Sequence, residues 1–212
     1  RAAGVLMPVA RTLAVALHGV DGALVEIEAD LANGLPAFTI IGLPDAALGE
    51  AKDRVRSAAS NSGCDLPNRK VTVNLSPASL PKHGSGFDLG IAVAALATTG
   101  VVTAEALDGV VHLGELSLDG RLRPVAGVLP AVLAARRAGA RAVVVPSGNA
   151  DEAGLVGGIR IVGAASLRDV LIHHGAELEP VPVEPLVGAT AVEPPGEEGD
   201  LSDVVGHPEA VE

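Results

Sequence analysis

Two hydrophobic periods alternate along the chain. In "RTLAVALHGVDGALVEIEADL", apolar residues recur at every second position: Leu13, Val15 and Leu17, then Val25 and Ile27. That period belongs to strands that bury one face, and the 18–22 segment supplies the turn between them. A third strand, "AFTIIG", follows the Asn33-Gly34 turn signal, so the opening is predicted to be an antiparallel meander. The period then lengthens in "LPDAALGEAKDRVRSAASNSG". Here Asp45 is placed to cap a helix, Ala47, Ala51, Val55 and Ala58 share one face, and Gly63 stands where a left-handed terminating residue belongs.

Further along, "KVTVNLSP" reads as a strand, "FDLGIAVAALATTG" as a buried helix ending at Gly100, and "GVVHLGELSLDGRLRPV" as a strand pair turning at Asp119-Gly120. A helix through "LPAVLAARRAG", a strand "ARAVVVP", a short helix near "ADEAGLV", a strand "IRIVG" and a helix "SLRDVLIHHG" follow. The sum predicts one mixed α/β domain over about residues 8–175, a sheet packed with helices.

Composition sharpens this picture. The 212 residues are 48% hydrophobic, yet Phe38 and Phe87 are the only aromatic ones, so the core must be built from Ala, Val, Leu and Ile. The single cysteine, Cys64, excludes an internal disulfide and any multi-cysteine metal site, as expected in a reducing cytosol. The apolar run near the start is short and broken by Pro8, unlike a signal peptide or a membrane span, so a cytoplasmic protein with no membrane partner is expected. The net charge of −11 is unevenly spread. Residues 176–212 hold ten acidic residues and no Lys or Arg, leaving 15 basic against 16 acidic in residues 1–175. "AELEPVPVEPLVGATAVEPPGEEG" is too poor in large apolar residues to repay its ordering entropy, so residues 176–199 are expected to be a linker. In residues 200–212, "DLSDVVGHPEAVE" regains helical character.

The candidate chemistry centres on "PKHGSGFDLG", residues 81–90. Ser85 is a conceivable nucleophile with Lys82 or His83 as its base, but neighbours on a glycine turn point in different directions. A glycine-rich turn before a helix can also cradle phosphate. Neither G-x-x-x-x-G-K-[ST] nor G-x-G-x-x-G spacing occurs, so no ATP site is expected in this chain. There is no H-E-x-x-H, and the adjacent His173 and His174 are expected on a helix surface, with no metal bound. Lys52, Arg54, Arg56, Arg69, Lys70 and Lys82 face only Asp53 and Asp65 over residues 52–83, a local net of +4. Such a patch either holds DNA phosphates in a salt-dependent way or is an ordinary solvated face.

Three long blocks carry a family resemblance: "GLPAFTIIGLPDAALGEAKDRVRSAASNSG", "VTVNLSPASLPKHGSGFDLGIAVA" and "LGELSLDGRLRPVAGVLPAVLAARRAGARAVVVP". From about residue 12 to 175 the chain resembles the N-terminal domain of the ComM/YifB family, the magnesium-chelatase-like AAA+ proteins of bacteria. The resemblance implies a Lon-protease-like α/β fold, related to ribosomal protein S5 domain 2. In Lon-type peptidases a serine at a helix head is the nucleophile and a lysine of a later helix its base. The matching positions here hold Asp88 and Ala131, which implies a peptidase fold without its dyad. A peptidase relocated to Ser85 and a pure oligomerisation scaffold stand as the alternatives. "DLSDVVGHPEAVE" is similar to the opening of the family's AAA+ module, with His207 in place of the usual glutamine. The resemblance thus implies residues 1–175 as an accessory domain, residues 176–199 as a linker, and residues 200–212 as the start of an ATPase. It further implies ATP and Mg²⁺ in that module, a hexameric ring of like chains, and branch migration of single-stranded or branched DNA in natural transformation.

Overall fold

The structure is a computed structural model that describes residues 9–186. Strands β1 (Ala10–His18) and β2 (Asp21–Ala32) form the expected hairpin, with His18 opposite Asp21 across a two-residue turn. Gly19 enters that turn at φ 61, a region costly for a side chain.

The meander stops there. Strand β3 (Ala37–Ile41) pairs in parallel with β4 (Lys70–Ser76), and β4, not β3, lies against β2. A two-residue turn at Asn33-Gly34 would set Pro36 opposite Leu31, and proline has no N–H to give a ladder. β4 also buries Val71, Val73 and Leu75 completely, which suits an inner strand, whereas Thr39 and Ile41 of β3 are exposed at the edge.

The helical run between β3 and β4 is two helices rather than one, α1 (Ala46–Gly49) and α2 (Ala51–Asn61). The Asp45 carboxylate caps the first by accepting from the Leu48 N–H at 2.8 Å. The break at Glu50 turns Leu48 into the core and leaves Ala47 exposed. α2 closes as predicted: Gly63 has φ 78, its N–H reaches the Ser60 carbonyl, and the Cys64 N–H reaches Ala59.

Helix α3 (Asp88–Ala97) is buried at every residue. A Cβ on Gly90 would come within 2.6 Å of Ile27 Cδ1, so glycine there lets the helix lie close on β2. The rest of the chain gives α4 (Ala104–Leu107), β5 (Val110–His112) and a small antiparallel ribbon of β6 (Glu115–Leu116) and β7 (Leu122–Arg123). Then come α5 (Val128–Arg137), β8 (Ala142–Pro146), α6 (Ala150–Gly154), β9 (Arg160–Ala164) and α7 (Leu167–His173).

The main sheet has the order β3-β4-β2-β1-β5-β8-β9, and β2 alone runs against the others. Its two halves come from separate stretches of sequence and join where Leu13 of β1 pairs with Val111 of β5. One face packs Val25, Ile27, Val73 and Leu75 against α2, α3 and α7. The other packs Val15, Val111, Val143 and Val145 against α5 and α6. This is the mixed α/β sandwich of aliphatic side chains that the composition implied.

Residues 176–186 form neither helix nor strand, yet Ala176 is buried, Leu178 packs on the core and the Glu179 carbonyl accepts from Arg168 Nη1 at 2.8 Å. The remainder of the expected linker, residues 187–199, and the segment 200–212 lie outside the described residues. No described helix is long and apolar enough to cross a membrane.

Candidate functional site

The 81–90 turn is pinned from two sides. The Lys82 backbone pairs with the 43–45 loop, its N–H on Leu43 and its carbonyl accepting from Asp45. The Asp45 carboxylate, besides capping α1, accepts from the Gly84 N–H at 3.1 Å and lies 3.4 Å from His83 Nδ1. Gly84 turns the chain at φ 79, and the Gly86 carbonyl accepts from Gly114.

The Lys82 side chain is fully buried. Its ammonium donates to the Gly42 and Leu75 carbonyls at 2.8 and 3.0 Å and to the Pro77 carbonyl as well. Burial pushes its pKa down. Lys82 therefore ties three backbone segments together; it neither presents charge to solvent nor serves Ser85 as a base. The Ser85 hydroxyl donates to Glu115 instead, and His83 is engaged by Asp45.

Asp88 opens α3 as the sequence implied, but its role goes beyond the helix dipole. It is fully buried and accepts from Arg54 Nε at 2.6 Å, Arg54 Nη2 at 3.0 Å and the Leu116 N–H at 3.2 Å. Burial pushes the carboxyl up, and the guanidinium and the N–H oppose that shift. The same contact holds Arg54 firmly charged. We read the pair as ionised, because a two-pronged guanidinium matches a carboxylate and not a carboxylic acid. This clamp joins α2, α3 and β6, and it removes Arg54 from the exposed basic set.

A cleft of about 430 Å³ opens on the other side of the turn, lined by Ser85, Phe87, Leu113, Glu115, Val125 and Ala131 among others. Ala131, on α5, contributes a methyl group to it, while the Asp88 carboxylate points away toward α2. The structure thus brings Ser85, Glu115 and Ala131 together and leaves Asp88 and Lys82 out. Glu115 was missed by sequence reasoning, because only folding brings it to a serine thirty positions away.

Four basic residues remain at the β3 edge. Lys52 and Lys70 are exposed, and Arg56 lies 5.5 Å over the Phe38 ring. Arg69 gives Nη2 to Asn33 at 2.8 Å, while its Nε has no partner among the described residues. The Phe38 ring thus lies in the patch, but Arg56 sits over it. No group of three or more His, Cys, Asp or Glu among the described residues can hold a metal, and the chain has no nucleotide phosphate loop, so the donor sets for Mg²⁺ and ATP are not found here.

A second polar cluster went unforeseen. His112 of β5 is fully buried, with Nδ1 2.7 Å from the Thr12 hydroxyl and Nε2 2.8 Å from His174 Nε2. His174, expected on the surface, is only 7% exposed. The helical stripe Leu167, Val170, Leu171 and His174 carried that signal at spacings of 3, 4 and 7.

Comparison with known proteins places this architecture. An uncharacterised protein of Mycobacterium tuberculosis is 47% identical over 206 residues, covering 96% of this chain and 40% of that protein. Competence protein ComM of Haemophilus influenzae is 42% identical over 194 residues, covering 91% and 38%. Lon protease of Mycolicibacterium smegmatis is 31% identical over 143 residues, covering 64% of this chain and 18% of that enzyme, consistent with the mixed sheet and its helices. The chain spans about 40% of the length of the first relatives it matches. Residues 27–149 match the family described as subunit ChlI of Mg-chelatase, and that span runs from the β2 strand through the Arg54–Asp88 clamp to the end of β8. The chain therefore belongs to the ChlI family of magnesium-chelatase-like proteins.

Proposed function

We propose that this chain is a non-catalytic accessory domain of a magnesium-chelatase-like AAA+ ATPase that acts on DNA, with ATP and Mg²⁺ bound by the ATPase module and the subunits assembled as a ring. The observation that carries this reading is the fate of the two peptidase positions. Asp88 is locked to Arg54 inside the protein and Ala131 offers a methyl group to the cleft, so no nucleophile and base meet there. The alternative serine, Ser85, faces a carboxylate and not an amine. An active-serine phosphonate probe is expected to leave Ser85 unlabelled in the folded protein. Covalent labelling lost in Ser85→Ala would establish a relocated peptidase.

The name of the competence relative and the four basic residues at the β3 edge support contact with DNA. Fluorescence anisotropy with single-stranded and forked DNA tests this directly. If all four residues meet phosphates, affinity should fall about 50-fold for a single strand, and about 150-fold for duplex contacts, as salt rises from about 50 to 200 mM. The quadruple change of Lys52, Arg56, Arg69 and Lys70 to alanine should abolish binding at low salt. Unchanged binding, or none at all, would make the patch a solvated face and the domain a scaffold for ring assembly.

A further inference from the structure

We propose that the cleft where β8 and β9 begin and α7 ends is a binding site for a phosphate monoester. The cleft encloses about 400 Å³, enough for a phosphate and the group that carries it, and is lined by Arg141, Arg160, His173, His174 and Gly175 among others. No carboxylate lines it among the described residues. It lies at the opposite edge of the sheet from the Lys52 patch and does not rest on the DNA reading.

The placement of the four cationic or protonatable groups follows from the topology. Arg160 is paired in register with Ala142, so Arg141 precedes the position beside it. Arg141 is held in place, Nε on the Asp108 carbonyl at 3.2 Å and Nη2 on the Ala106 carbonyl at 3.1 Å, with Nη1 left over. Arg160 has no side-chain hydrogen bond or ion pair among the described residues and is exposed. His174 is held from behind by His112, whose Nδ1 in turn meets the Thr12 hydroxyl.

Their charges act on one another. Burial and the Arg160 and Arg141 charges hold the His173 imidazole down, and burial, His173 and Arg141 hold His174 at about 4. From the neighbouring cleft, Asp65 and Glu177 are the acidic groups on the far side of His174. Two guanidinium groups and two imidazoles thus converge on a space that contains no anion from the fold. A tetrahedral dianion supplies acceptors for the Arg160 guanidinium and for the remaining Nη1 of Arg141, and offsets the arginine charges that add to burial in lowering His173. A phosphodiester, with one charge and fewer free oxygens, fits less well.

Inorganic phosphate is the first probe, titrated into the whole 212-residue chain at constant ionic strength with chloride as the control. Phosphate should raise the His173 imidazole pKa, read by NMR, by about one pH unit, as an opposite charge at contact distance does. Arg160→Ala should weaken phosphate binding about tenfold or more, the scale of a lost charge-assisted contact. Arg137→Ala, an exposed arginine of α5 outside the cleft, should leave it within about twofold. A phosphate response equal to that of chloride, or unaltered binding in Arg160→Ala, would overturn the proposal. Two further arms separate the sources of the same chemistry. Preference for a 5′-phosphorylated over an unphosphorylated oligonucleotide assigns a strand end, and binding of adenosine monophosphate without that preference assigns a small phosphorylated molecule.

Discussion

Replacing Arg54 by alanine is expected to destabilise the protein by about 3–5 kcal/mol, because it leaves a carboxylate buried without its counter-ion. Asp88 has no solvent exposure, and two of its three hydrogen bonds come from Arg54. The loss exceeds what a surface pair is worth by several-fold. Asp88→Ala should cost a similar amount, since it strands the guanidinium and the Leu116 N–H. A double change, Arg54→Met with Asp88→Leu, is expected to recover most of the loss, because a desolvated pair is often no better than apolar groups of like volume. Urea unfolding of these variants, with Arg54→Met and Asp88→Leu added as the matching single changes, measures this as a mutant cycle. An Arg54→Ala cost below about 1 kcal/mol would mean that Asp88 is protonated in the fold and the clamp is only a hydrogen bond. The cycle also measures how far this ion pair has become part of the core.

Stability should fall as the pH drops below about 6.5, before the bulk of the carboxylates titrate. His112 is held well below the usual histidine range by burial and by the neighbouring imidazoles, and His174 is held at about 4, chiefly by burial. Both are neutral in the fold, whereas in the unfolded chain each takes up a proton near pH 6.5. The unfolded state therefore binds more protons in this window, and the stability present above pH 6.5 is lost as the pH falls toward the folded values. For His174 the loss by pH 4 approaches roughly 3 kcal/mol. As the pH falls from 6.5 toward 5 the slope due to His174 should approach about 1.4 kcal/mol per pH unit, and His112 adds to it in the same direction. Urea unfolding at several pH values reads that slope directly, and His174→Gln should flatten it by about one proton. A level profile from pH 7 to 5 would show that the imidazoles take up protons inside the protein as readily as in the unfolded chain. The buffer must be free of phosphate, whose binding beside His174 would oppose the effect.

Local signals were read best where one residue type enforces one geometry. Gly63 ends α2 and Asp45 caps α1, because a left-handed turn and a side-chain cap each admit few residues. Strand order was harder. The Asn33-Gly34 turn signal is real, but what lies beside β2 depends on which strand can be buried on both sides, and that is decided 40 residues later by Val71, Val73 and Leu75. The polar residues were the least legible. A lysine, an arginine and a histidine look like surface groups in any list, yet Lys82 is buried on three carbonyls, Arg54 is bound to Asp88 and His174 meets His112 across 62 positions. Charge counting placed Arg54 and Lys82 in a surface patch because it cannot register partners that only folding supplies. The family resemblance, which rests on long blocks rather than on single residues, was not exposed to that error.

The single junction between the two halves of the sheet bears on how the chain reaches this state. Strands β1 to β4 come from residues 10–76 and β5, β8 and β9 from residues 110–164, so each half assembles from contacts within its own stretch. Joining them brings Leu13 to Val111, closing a loop of nearly a hundred residues for one strand pairing. Closures of that span carry their entropy cost before their contacts form, which makes them the slow events of folding. The Thr12–Val110 and Thr12–His112 hydrogen bonds cross the same junction. A neutral imidazole at His112 is thus among the last requirements met as the two halves dock, and acid should slow that docking as well as weaken its product.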